Sequence, residues 1–107
     1  GKKLITGPGV LADHYSKCGG EVLYYGKPHK QVFKNPQTIL NANRLLMIGD
    51  SLDHDILGGH IMGWDTLFVQ SGIHAADFAN GEHRTILEKI IHQKKCRPPT
   101  YMMDLLK

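Results

Sequence analysis

The chain has 107 residues, 41% of them hydrophobic and 21% charged, with a formal net charge of +3. That length suits one domain around one core, and so mild a basic excess makes no case for a nucleic-acid partner. No apolar run approaches the ~20 residues that span a bilayer, and Gly1-Lys2-Lys3 leads only into a stretch broken by Gly7, Pro8 and Gly9, which does not read as a secretory leader.

Lys3–Thr6 reads as a short extended segment, and Val10–Lys17 as a short helix stopped by Gly19-Gly20. Glu21–Tyr25, rich in β-formers, reads as a strand. Pro28 is placed to open a helix over His29–Lys34, which Pro36 interrupts or restarts, with Ile39, Leu40 and Ala42 continuing an apolar face to about Asn43. Leu45–Ile48 is a second strand, apolar throughout, as a strand covered on both faces would be. Asp53–Met62 follows as a helix with Ile56, Leu57 and Ile61 on one side and Gly63 as its cap. Thr66–Val69 is a third strand. Glu82–Gln93 is an amphipathic helix carrying Ile86, Leu87, Ile90 and Ile91 at helical spacing. Arg97-Pro98-Pro99 ends it, and Tyr101–Leu106 is a last edge strand or docking tail. Strand and helix alternate, which predicts an α/β fold with a parallel Rossmann-like sheet. The basic residues Arg84, Lys89, Lys94, Lys95 and Arg97 read as a solvated helix face. Cys18 and Cys96 lie in no recognised motif and read as two reduced, partly buried thiols, which points to the cytoplasm.

Two loops carry chemistry. Leu45–Ile48 runs into Gly49-Asp50-Ser51-Leu52-Asp53-His54-Asp55, which puts three acids at the carboxyl end of a strand, where ligands of open α/β sheets sit. Carboxylates there suit a hard cation such as Mg2+. The five-residue step from Asp50 to Asp55 lets both point at one spot; helix capping by Asp53 or Ser51, with the other acids solvated, accounts for the pattern equally well. Lys27, in Gly26-Lys27-Pro28, also follows an expected strand. An ammonium beside carboxylates there offsets the charge of a phosphate or holds an acidic nucleophile.

Taken together, Tyr24-Tyr25-Gly26-Lys27-Pro28-His29, the run from Leu46 to Gly59, and Gly63-Trp64-Asp65-Thr66-Leu67-Phe68-Val69-Gln70-Ser71-Gly72 resemble the C-terminal half of a haloacid dehalogenase (HAD) superfamily hydrolase. The subclass is the one with a mixed α/β cap, IIA. The resemblance implies a three-layer Rossmann-like core, of which residues 21–107 are the C-terminal half and residues 1–20 the end of the cap or the return from it. It implies that Lys27 stabilises the phosphoryl group and that Asp50 and Asp55 are the Mg2+ acids, with Asp53 unassigned. The implied substrate is a small phosphorylated metabolite, hydrolysed through an aspartyl-phosphate. The motif that carries the nucleophile, Asp-x-Asp after an apolar strand, is missing: the sole Asp-x-Asp is Asp53-His54-Asp55, inside the acid loop. These residues alone are therefore expected to be inactive, and a complementing N-terminal half or a homo-oligomer is expected as partner.

Three other readings compete. Gly7-Pro8-Gly9-Val10-Leu11-Ala12 formally fits a dinucleotide fingerprint, but no acid stands about 20 residues further on at a strand end. His14 and Cys18 are spaced to share a helix face as zinc ligands, but no second pair completes the three or four ligands zinc takes. A half-domain with open sheet edges also suits a non-catalytic interaction module or a remnant.

Overall fold

The computed structural model describes residues 7–105. Three parallel strands, β1 (Leu46–Gly49), β2 (Asp65–Val69) and β3 (Tyr101–Met103), lie in the order β1-β2-β3. The helices are α1 (Pro8–Lys17), α2 (Lys30–Leu40), α3 (Leu57–Met62), α4 (Ala75–Phe78) and α5 (His83–Lys94). A π-helical turn, Leu52–Ile56, runs directly into α3. The expected strand at Lys3–Thr6 lies outside the described residues.

Both crossovers advance the same way across the sheet, so right-handed connections bring their helices to one face. On that face Leu52 and Ile56 of the π turn, Phe68 of β2, Phe78 of α4, and Leu87 and Ile90 of α5 form the core. Ile86 and Ile91 pack against it, half-buried. Helix α3 comes close to the sheet because Gly58 and Gly59 have no side chains: a Cβ on Gly59 would lie 2.6 Å from Thr66 Cγ2 and 2.9 Å from Met47 Cβ. Helix α2 docks on α3 through Phe33, which meets Gly58 and the edge of Trp64. The register aligns Ile48 with Leu67 and Leu67 with Tyr101 on the opposite face. There Leu46 and Ile48 are 47% and 45% exposed, so the described residues cover only one side of β1. Its apolar run is not explained by burial on both faces here.

Local departures from the sequence reading have identifiable causes. Glu21–Tyr25 is not a strand: among the described residues no sheet edge pairs with it, and Leu23 and Tyr25 are exposed. High β-propensity describes side chains that fit a pleated surface and needs such a surface to act. Pro36 does not break α2, which runs through it. Pro36 and Val32 are both exposed, so solvent can satisfy the carbonyl that the missing N–H leaves free. Pro28 precedes the helix rather than opening it, since His29 is the N-cap. Ile39, Leu40, Leu57 and Ile61 are exposed, and α2 buries only Phe33. Cys18 is exposed and Cys96 half-buried, and both thiols are free. Helix α4, Ala75–Phe78, has only four residues, too few to show a period in the sequence.

Candidate functional site

The carboxyl end of the sheet gathers three chain segments. The first is the lysine loop. Gly26 adopts φ +108, which a side chain rarely tolerates, and the His29 N–H closes the turn on the Gly26 carbonyl at 2.9 Å. The rings of Tyr24 and His29 stack across the turn with centroids 5.2 Å apart. The Lys27–Pro28 peptide is cis. Held this way, Lys27 reaches over the sheet edge, and its Nζ donates to Asp55 Oδ1 at 2.6 Å.

The second segment is the acid loop after β1. The Ser51 carbonyl accepts both the Asp55 N–H (3.0 Å) and the Ile56 N–H (3.1 Å), which is the widened π turn. This turn folds Asp55 back under the end of β1. Its side chain fills the space beside Gly49, where any Cβ would overlap it. Asp55 is 5% exposed, with Oδ1 on Lys27 and Oδ2 accepting the Ser51 N–H at 3.2 Å. Lys27 is half-exposed, so one end of this ion pair is in protein and the other meets water.

The third segment follows β2. The Ile73 N–H donates to Asp50 Oδ2 at 2.9 Å, and Gly72 lies against the Asp50 side chain so closely that a Cβ there would overlap it. Asp50 is half-buried. The structure thus joins Lys27 to Asp55 directly, and sets Asp50 on the same loop but against the backbone of residues 72 and 73. Asp53 pairs with Lys94 of α5. Ser51 Oγ and His54 Nδ1 are 2.7 Å apart, so this serine spends its hydroxyl on its own turn. Nothing in the sequence shows that Gly72 and Ile73 support Asp50; Ser71-Gly72 stands there only as the end of the run that carries the family resemblance.

Elsewhere, polar groups do structural work. Thr66 and Thr100 exchange hydrogen bonds between backbone N–H and hydroxyl, each 3.0 Å, and pin the start of β3 to β2. His60 Nε2 lies 3.3 Å from Thr66 Oγ1. Burial, with a smaller contribution from the Arg97 charge, lowers its pKa and favours the neutral ring. Trp64 packs edge-on against Phe33, as a strand-start packing residue should. Among the described residues no three His, Cys, Asp or Glu side chains group as a metal site, and His14 with Cys18 gains no further ligand.

A parallel sheet with an acid loop after one strand and a lysine loop meeting it at the carboxyl edge is the ligand-binding end of a Rossmann-like α/β core. Residues 24–104 match the HAD-hydrolase-like family, and the chain belongs to it. It is 33% identical over 101 residues to an acid sugar phosphatase of Staphylococcus saprophyticus, covering 92% of this chain and 34% of that protein. Its fold resembles a p-nitrophenyl phosphatase of Archaeoglobus fulgidus, with a TM-score of 0.70 at 23% identity over 92% of this chain and 36% of that one. A double-mutant thermostable NPPase of Geobacillus stearothermophilus is similar with a TM-score of 0.63 and 26% identity, over 91% of this chain and 34% of that one. The chain spans about a third of the length of the curated relatives it matches, 34%.

Proposed function

We propose that these residues form one wall of a Mg2+-dependent phosphohydrolase site for a small phosphorylated substrate. The observation that carries the reading is the 2.6 Å bond from Lys27 to Asp55, which joins two loops 28 residues apart at the sheet edge where Asp50 sits. The likeness to phosphatases supports it. In this reading Lys27 offsets phosphoryl charge and Asp55 holds Lys27 in place. Asp50, whose Oδ1 carries no hydrogen bond among the described residues, would hold the metal, and Asp55 would support the metal site directly or through water.

The donors fit Mg2+. The ion takes one or two carboxylates, keeps several waters and binds phosphate oxygens, so two acids and open solvent suffice on the protein side. When bound, it would draw off negative charge and let an anionic nucleophile approach a phosphate. The nucleophile is a carboxylate that these residues do not contain, since Asp53 of the single Asp-x-Asp is tied to Lys94. Its attack on phosphorus would give an aspartyl-phosphate that water then cleaves. Residues 1–20 belong to the cap end or the return segment; α1 buries none of its side chains. Two free thiols fit a reducing compartment such as the cytoplasm, and no helix among the described residues is long and apolar enough to cross a membrane.

A chimera tests the reading. The chain replaces its matching third of the Staphylococcus saprophyticus acid sugar phosphatase, and hydrolysis of a sugar phosphate is followed with Mg2+. Activity that is lost in Asp50→Ala and in Lys27→Ala is expected; a folded chimera whose activity survives both changes overturns the assignment. The uncovered side of β1 also favours a complementing N-terminal half, or a second copy, as partner.

A further inference from the structure

Asp50 is held from outside its own loop, by the segment that follows β2. Ser71-Gly72-Ile73 follows β2 and passes directly against the Asp50 side chain. Two features of that contact are specific. The Ile73 N–H is spent on Asp50 Oδ2 at 2.9 Å, although it lies just ahead of α4. And the space a side chain would need at residue 72 is taken by Asp50 itself, from its Cβ to its Oδ2, so a substituent there cannot be relieved by moving a flexible tip.

We propose that Gly72 and the Ile73 N–H form a backbone clamp that sets the rotamer of Asp50, tying down Oδ2 and leaving Oδ1 as the oxygen offered to a ligand. They are positioning residues, acting through Asp50. The argument is steric and electrostatic. An N–H donated to a carboxylate is a charge-assisted bond that fixes the group before any cation arrives. A carboxylate left to rotate would lose that order each time it bound. Gly72 serves close approach here rather than an unusual backbone angle: it is not among the glycines with positive φ. The clamp also ties the end of β2 to the end of β1, so the acid's placement depends on the strand register and not only on its own loop. The part of this inference that concerns Mg2+ rests on the reading of Asp50 as a metal acid.

The test compares the 107-residue chain with its Gly72→Ala and Asp50→Ala variants by amide-resolved NMR, using hydrogen exchange and then titration with Mg2+ alone. In both variants exchange at the Ile73 amide should speed up about tenfold or more, as one charge-assisted bond is lost, with the β1 and β2 amides unmoved. In Gly72→Ala the dissociation constant for Mg2+ should rise about 10–100-fold, the usual cost of losing a partner that orients a metal ligand. Unchanged Ile73 exchange in Asp50→Ala overturns the clamp, as does a Gly72→Ala protein with wild-type exchange and wild-type Mg2+ affinity. If the wild type takes up no Mg2+ while Ile73 loses protection in both variants, the clamp stands and the reading of Asp50 as a metal acid falls. Asp50→Ala adds no bulk, and carries the test alone should Gly72→Ala unfold.

Discussion

Lys27 and Asp55 form a pair whose two ends differ in solvent. Asp55 is 5% exposed while the Lys27 side chain is 53% exposed. Removing the lysine strands a buried carboxylate that keeps, among the described residues, only the Ser51 N–H for support. A fully buried pair broken this way costs about 3–5 kcal/mol, and an exposed one about 0–1. Lys27→Met should therefore destabilise the chain by about 1–2 kcal/mol, between those limits. Urea unfolding checks this; an unchanged or higher midpoint would show that Asp55 does not depend on Lys27. The two acids stood out in the sequence as charges after an apolar strand, and Lys27 as a charge after a run of β-formers that the structure does not make a strand. Their supports were not legible, because Gly49, Gly72 and two backbone N–H groups carry no side-chain signal.

The elements divide by how much tertiary help they need. Helix α5 and strand β2 were visible in the sequence pattern because Leu87, Ile90 and Phe68 face the core, whereas β1 stood out by its apolar run although Leu46 and Ile48 are exposed. The strand expected at Glu21–Tyr25 failed because its residues are β-formers with nothing to pair against. The π turn at Leu52–Ile56 was read as ordinary helix, since no residue type distinguishes an i→i+5 turn from an i→i+4 one. The contact of α3 with the sheet rests on glycine. Gly to Ala inside a helix usually gains about 0.5–1 kcal/mol. At Gly59 the new Cβ would sit 2.6 Å from Thr66 Cγ2 and 2.9 Å from Met47 Cβ. Gly59→Ala should instead cost about 1–3 kcal/mol by overpacking. Thermal and urea melts decide it, and a gain in stability would mean that α3 has room to move off the sheet.

At the scale of the whole molecule, the described residues build one covered face, one open face and a free β1 edge. Leu46 and Ile48 stand on the open face beside that edge. Exposed strand edges of this kind pair with whatever chain offers a match. The chain alone should associate as its concentration rises, and Ile48→Lys should suppress this, as followed by light scattering. A wild type that stays monomeric throughout would count against the open face as a contact surface. Lys27 meets Asp55 at the carboxyl edge of the sheet, Asp50 lies on the same loop against residues 72 and 73, and Asp53 is paired with Lys94. The measurement that bears most directly on this is hydrolysis of a small phosphate monoester by the 107 residues with Mg2+, their folding verified by circular dichroism. The account predicts no turnover above the Asp50→Ala background; Mg2+-dependent turnover that disappears in Asp50→Ala would contradict it.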